Sequence, residues 1–586
     1  MALALALGIL AERVGATTAD DLCAASADPC RVTRSISVTP ASEIDFGTRS
    51  LIIANRGALE LQSGTMTLRA AALTVESGGM LLARGSAQEP GGKLVALAGV
   101  ITLNGTVDAS GAPGGVVMLT STGPLTLAAP LEVRSRGSDS GGGSAELRGV
   151  DISINAAGRI NALGGGDDFG GDIDVAATRA LNIAGNVDAS GGEGGVISLA
   201  AGGALSVAAN FTVKADATAS GGSGGEITLA ADGVVTMDGE LSANGRNGSA
   251  DTGAGDGGSI DVTGSAIAVP RTAARLNAAA GSSDGVGGDI DLISTTGAID
   301  CQGRLEAHGP GVDGSGGSIT LDAVGAVSVG GIFNAGGGRD GGGDIDLLGG
   351  GDLMVSATAS LSVAGTSSGD GGDIDADTDG NATLRGELIA DGGPTEGGNG
   401  GSVNVSGCAV RIESTARLSS LRAGGTNTLI GRDSTVVAGK MLADAGSGRN
   451  VFRFPGPEYE PARLPGAQVT PSGTFLVDSS VIPCNAINTR TPTITLPPTV
   501  TRTVGMPPTP TATRGVTATP TATPVVCVGD CDGSGSVSIS DLVTGVNIVL
   551  GSQPITRCPA FDPDDSGTVT ISELVQGVNN TLNGCP

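Results

Sequence analysis

Residues 287–307 read GGDIDLISTTGAIDCQGRLEA, and this stretch decides the fold. Within it, Ile290-Asp291-Leu292, Ile299-Asp300-Cys301 and Leu305-Glu306-Ala307 each set their two end residues apart from the middle one. Successive Cβ atoms of a strand point to opposite faces, so each triplet is a short strand with one apolar side. The same three-part phrase recurs as Ile227/Leu229, Val235/Met237 and Leu241/Ala243, and as Ile197/Leu199, Leu205/Val207 and Phe211/Val213.

Working outward, a Gly-Gly doublet opens twelve such units, its second glycine at 92, 115, 143, 171, 195, 225, 258, 288, 317, 343, 372 and 401, with spacings of 23 to 33 residues. A unit of three short strands cannot bury its apolar side alone. Stacked at ~4.8 Å per step, such units align into long parallel sheets around one core. The expected fold is all-β, a three-sheeted, right-handed parallel β-helix solenoid of about twelve to fourteen coils, a rod ~60 Å long. The glycines are expected at corners needing positive φ. The Gly/Ser/Asp tracts 221–225 and 309–317 are expected to protrude as loops along one edge.

Composition agrees. Of 586 residues 102 are Gly, while Trp is absent and the chain has one Tyr, eight Phe and one His. A serine or cysteine triad would have to use His308 as its base, and this residue reads as an exposed corner position. The net charge of −28 argues against nucleic acid and anionic lipid as partners. Met1 to Leu10, MALALALGIL, reads as the apolar part of a secretory signal within residues 1–19, and no later run is long enough for a transmembrane helix. Residues 20–90 are expected to hold an N-terminal cap and the first coils, 91–430 the repeats and 431–490 a C-terminal cap. A Thr/Pro-rich spacer of 13 Thr and 8 Pro follows over 491–526, and a separate module over 527–586.

Nine cysteines suit an oxidising, extracellular setting. Cys23 with Cys30 and Cys408 with Cys484 are candidate disulfides, as are Cys527 with Cys585 and Cys531 with Cys558, among three possible pairings of the last four. Cys301, at an inward position, reads as a small core residue.

The units GGDIDL, GGSITL and GGEITL with their following triplets resemble the filamentous-haemagglutinin and adhesin class of secreted β-helices. That resemblance implies a secreted or cell-surface structural protein. The calcium-binding nonapeptide repeat does not fit, because its nine-residue period is missing.

Several first strands carry Asp at both outward positions: Asp172 with Asp174, Asp289 with Asp291, Asp344 with Asp346, and Asp373 with Asp375. Because two of these units are consecutive, Asp344, Asp346, Asp373 and Asp375 are expected to meet as four carboxylates on adjacent strands. Such a patch serves as a solvated polar face, binds a cation, or poises one carboxyl as an acid beside an ionised partner. The third option would make the rod a polysaccharide hydrolase or lyase.

Over 530–541, DCDGSGSVSISD has the ligand spacing of a twelve-residue EF-hand loop, and 562–573 repeats it 32 residues later. Candidate Ca2+ ligands are Asp530, Asp532, Ser534, Ser536 and Asp541 in one loop, and Asp562, Asp564, Ser566, Thr568 and Glu573 in the other. Each loop leads into LVxGVN, so the module is expected to be small and α-helical, and it resembles a type I dockerin. That resemblance implies two Ca2+ sites and a cohesin-like partner engaged through Ile539, Ser540, Ile571 and Ser572. The chain as a whole then reads as an adhesin-like β-helical stalk with a calcium-dependent docking module. The alternative is a polysaccharide-degrading solenoid delivered by that module.

Overall fold

The computed structural model describes residues 16–61, 64–248, 253–395 and 397–484, together with Val528, Val537, Ile548, residues 558–561, Val569 and Asn580. From Cys30 to Val477 the chain is a β-solenoid whose strand pairings, among the described residues, are parallel. One coil consists of Asp289–Ser294, Ile299–Cys301 and Arg304–Glu306. It lies on the next coil with Ile290 opposite Ile319, Ile299 opposite Val327 and Leu305 opposite Phe333. The triplets read from sequence are therefore the three strand columns. In Thr65–Val75, Lys93–Leu103, Ser402–Ile412 and Thr426–Val437 the first two strands of a coil fuse into one, which joins two of the columns into a continuous sheet.

Register follows from the inward rows. Ile173, Ile197, Ile227, Ile260, Ile290, Ile319, Ile345 and Ile374 stand one above another, each buried. Slipping a strand by one residue would turn its whole apolar side outward. Each fully buried isoleucine contributes about 1.5–3 kcal/mol, so the repeated row fixes both register and cohesion.

The doublet glycines have a different role from the one expected. None of the twelve second glycines has positive φ. Instead the coils approach so closely there that a Cβ on Gly288 would lie 1.9 Å from the Gly258 carbonyl oxygen, and one on Gly317 would lie 2.0 Å from that of Gly288. The second glycine also closes a pinch. The Gly288 amide donates to the Ala278 carbonyl at 2.7 Å, the Gly317 amide to Ala307 at 2.7 Å and the Gly258 amide to Ala243 at 2.7 Å. Each loop is tied at its base, and bridges such as Val286 with Ser315 and Ser315 with Gly341 join loops of successive coils, so loop length varies while the coil beneath stays constant. This accounts for the uneven spacing of the doublets.

The two ends differ. Helix Ala19–Leu22 covers the first coil, with Ala19 in the core and Leu22 and Cys23 packed against it, and a disulfide joins Cys23 to Cys30. At the other end, where the doublets stop, the coil pairing runs on through Arg449–Phe454 and Ala462–Arg463 to Thr474–Val477. There Asn replaces aliphatic residues inside the coil. Asn427 Nδ2 donates to Asn450 Oδ1 at 2.9 Å, and Asn450 Nδ2 to the Pro471 carbonyl at 2.8 Å. Phe452 and Phe475 stack with centroids 4.9 Å apart. A second disulfide, Cys408–Cys484, clips these last coils together.

Leu496–Pro586 form a second compact unit. Its described core contains Ile548, Cys558, Phe561 and Val569, and Asn580 Nδ2 donates to the Val528 carbonyl at 2.8 Å. Val537 and Val569 are both buried, 32 residues apart. Cys558 is disulfide-bonded. Its pairing with Cys531, and that of Cys527 with Cys585, lie outside the described residues, as does the spacer 491–526.

The expectation of a small α-helical EF-hand or dockerin-like domain is corrected. Among the described residues the α-helix with defined ends is Ala19–Leu22, four residues long and far from this unit in sequence. Backbone at Ile548 and at Asn580 is helical, one residue each, and among the described residues of this unit no helix pair with defined ends is present. An EF-hand loop needs helices on both sides to hold its ligands, and ligand spacing alone specifies neither. The two Ca2+ sites and the cohesin-like partner therefore have no support. The residues named for them, Asp530, Asp532, Ser534, Ser536, Asp541, Asp562, Asp564, Ser566, Thr568 and Glu573, together with Ile539, Ser540, Ile571 and Ser572, lie outside the described residues.

Candidate functional site

The first strand of each coil carries two outward positions, and parallel register stacks them into two columns. Asp344 lies opposite Asp373, and Asp346 opposite Asp375. The four aspartates expected to meet are thus brought together. Asp289 and Asp291 stand two coils away, separated from Asp344 and Asp346 by Ser318 and Thr320 on the coil between. Asp172 and Asp174 sit further along, and there Arg148 bonds both Asp174 and Glu146, offsetting part of the charge on that stretch of the face.

Hydroxyl and amide donors satisfy some of these carboxylates. Ser402 Oγ donates to Asp373 Oδ1 at 2.7 Å, Asn404 Nδ2 to Asp375 Oδ1 at 2.7 Å and Ser318 Oγ to Asp289 Oδ1 at 2.7 Å. Partial burial, then the neighbouring Asp373, holds the Asp344 carboxyl above the ordinary carboxylate range, against a backbone hydrogen bond from Asp373. Burial and then Asp375 do the same to Asp346.

Asp261 was not anticipated. It lies opposite Asp291, and burial, followed by the charges of Asp291, Glu226 and Asp289, pushes its carboxyl up to about 6. Burial is also the main cause of the raised Asp291. The signal was present: Asp261 and Asp291 each stand three residues after the second glycine of their doublet, but the Asp261 strand has Ser259 where the others have a second Asp. Carboxyls arranged in this way can share protons or attract cations. They lie on an open sheet face rather than in a cleft.

The remaining candidates have structural roles. Cys301 is fully buried, and its thiol is pushed up to about 12 by burial. His308 is half-buried rather than exposed, and burial lowers its imidazole more than Glu306 raises it. Cys408, Asp433 and Cys484 group closely enough to suggest metal ligands, unlike an EF-hand set. However, both sulfurs are joined in the disulfide, and Asp433 accepts the Cys484 amide at 3.0 Å. Nearby, a cavity of about 360 Å³ is lined by Ile430, Arg432, Arg453, Asp478, Val481 and Ile482. Arg453 is paired with Asp478, and Arg432 bonds the Thr378 carbonyl and lies 3.6 Å from Asp379.

No family model, curated protein or solved structure matches this chain. Among the described residues no helix is long and apolar enough to cross a membrane.

Proposed function

We propose that this protein is a secreted or cell-surface structural rod of adhesin-like type, acting by binding rather than by chemistry. The observation that carries the reading is the unbroken stack of coils from Cys30 to Val477, whose outward columns form a long, regular polar face. A repeating array of donors and acceptors fits a repeating polymer such as a cell-surface polysaccharide. The disulfides Cys23–Cys30 and Cys408–Cys484 agree with an extracellular place of work. The test is to incubate the intact chain with a panel of insoluble polysaccharides, measuring co-sedimentation and released reducing ends. Co-sedimentation without release is expected, and release of sugar would sink the reading.

A second reading is favoured by the raised carboxyls of Asp344 and Asp346. Here Asp344, Asp346, Asp373 and Asp375 supply the acid and base of a polysaccharide-cleaving solenoid. It requires cleavage by the parent chain and its loss in Asp346→Asn.

A further inference from the structure

The two ends of the solenoid bury their terminal apolar residues unequally. At the N-terminal end the inward residues of the first strand, Cys30 and Val32, are 0% and 1% exposed beneath Ala19 and Leu22. At the C-terminal end the last strand, Thr474–Val477, pairs with Arg449–Phe454 along one edge, and no described strand pairs with the other. Phe475 and Val477 lie over the buried Phe452 and Phe454, so they occupy inward positions, yet they are 39% and 60% exposed. Leu476 between them is 44% exposed. The core of the rod comes to the surface here beside a free row of backbone donors and acceptors, an arrangement that recruits another strand.

Charge and symmetry select the occupant. Residues 440–478 carry four basic side chains, Lys440, Arg449, Arg453 and Arg463, and four acidic ones, Asp444, Glu458, Glu460 and Asp478. In a chain of net charge −28 this end is locally neutral. Side-by-side approach of two rods would bring aspartate columns together, whereas this end meets its own copy without repulsion. The N-terminal end carries helix Ala19–Leu22 and, over residues 20–45, five acidic side chains against two basic ones, so the same neutral face of a second copy is the surface this end meets with least repulsion. The strand TFLV suits this. Paired antiparallel with itself about Leu476, it sets Phe475 opposite Val477 of the other copy and Thr474 opposite Asp478, with no like charges facing.

We infer that two copies of this chain join end to end through the Thr474–Val477 strands, making a symmetric double-length rod. Sedimentation velocity on the full chain across a dilution series tests this, since a dimer held only by this contact dissociates on dilution. The expected result is a concentration-dependent dimer that Val477→Lys weakens by about tenfold or more, because the lysine would be buried against the other copy. Far-UV circular dichroism should be unchanged, since the side chain is exposed in the single chain. Val100→Lys, at an exposed apolar position on the rod flank, should leave the dimer intact. A monomer at all concentrations, or a dimer indifferent to Val477→Lys, overturns the inference. Amide exchange then identifies the alternative: protected amides at 474–477 in a monomer mean that this chain's own later residues cover the strand, and unprotected ones mean that the edge stays open.

Discussion

Asp346 stands directly opposite Asp375 on the neighbouring strand, and both project from the outward face of the solenoid. Asn404 donates to Asp375 from the following coil, while burial and the Asp375 charge raise Asp346. Asp261 and Asp291 repeat the relationship elsewhere on the face. The parallel ladder thus holds like charges closer than they would be in an unfolded chain, a cost carried by the apolar rows behind them.

That cost gives a pH dependence with a definite sign. Asp261 titrates at about 6 when folded, against 3.8 ordinarily, so between those values the folded chain holds more protons than the unfolded one. Stability on this account rises as pH falls from 6 towards 4 and is lowest above 6. Asp261→Asn should raise stability at pH 7 by on the order of 1 kcal/mol, less than full linkage because the carboxyl keeps partial solvent contact. It should also flatten the dependence between pH 4 and 6. Denaturant titrations of parent and variant at several pH values check this, and equal slopes would contradict it.

The two kinds of glycine should respond differently to one methyl group. Gly288→Ala places a Cβ 1.9 Å from the Gly258 carbonyl oxygen, so two coils must separate. Gly424 has φ +77° and nothing within 4 Å, so Gly424→Ala meets only backbone strain, worth about 1 kcal/mol. Gly288→Ala should cost more, about 2–3 kcal/mol or above, since a backbone contact cannot be relieved by rotating a side chain. Comparing the two by urea denaturation distinguishes close approach, at the second glycine of a doublet, from conformation, at Gly424, the first glycine of the Gly424-Gly425 pair.

Removing a methylene-rich rung should damage the rod locally. Ile290 is fully buried between Ile260 and Ile319, and Ile290→Ala should cost about 2–5 kcal/mol. In a solenoid each coil contacts chiefly its neighbours, so faster amide exchange should centre on residues 260–320 and fade along the rod. Uniform acceleration from end to end would mean that the coils unfold as one unit.

The sequence was most legible where one side-chain row repeats. The triplets and the doublets disclose the coil, its three strands and the meeting of Asp344 with Asp373, and the Ile row from Ile173 to Ile374 is their register in the fold. Asp261 escaped because pairing across coils is a property of register, and its own strand contains one Asp. The pinching of loops by Gly288 and its equivalents was hidden because glycine is compatible with both positive φ and close approach. Beyond Gly425 the doublets cease, and Asn427, Phe452 and Phe475 replace the aliphatic rungs, so the continuing coil has no repeated signature. The twelve-residue ligand spacings at 530 and 562 misled for the opposite reason. They are strong local patterns, but ligand spacing does not itself specify the flanking helices of a calcium site, and no such helix pair is present among the described residues.

The Cys408–Cys484 disulfide should stabilise the last coils selectively. It spans 76 residues and joins the strand Ser402–Ile412 to the segment beyond the final strand. It sits beside a register shift between Gly407 and Ala409, where the ladder is interrupted and the coils are easiest to part. Closing a loop of that length lowers the entropy of the opened chain by an amount worth about 4.5 kcal/mol at 25 °C. Because the enclosed coils are terminal, the loss should appear as fraying rather than collapse. Cys408→Ser with Cys484→Ser should therefore expose residues 426–477 to limited proteolysis while the coils between Cys30 and Ile389 stay resistant. Cys301, buried with its thiol raised to about 12, supplies an internal control. It should remain unalkylated in the variant under native conditions and react only when denaturant opens the central coils. Alkylation of Cys301 in step with cleavage at 426–477 would show that the disulfide supports the whole rod.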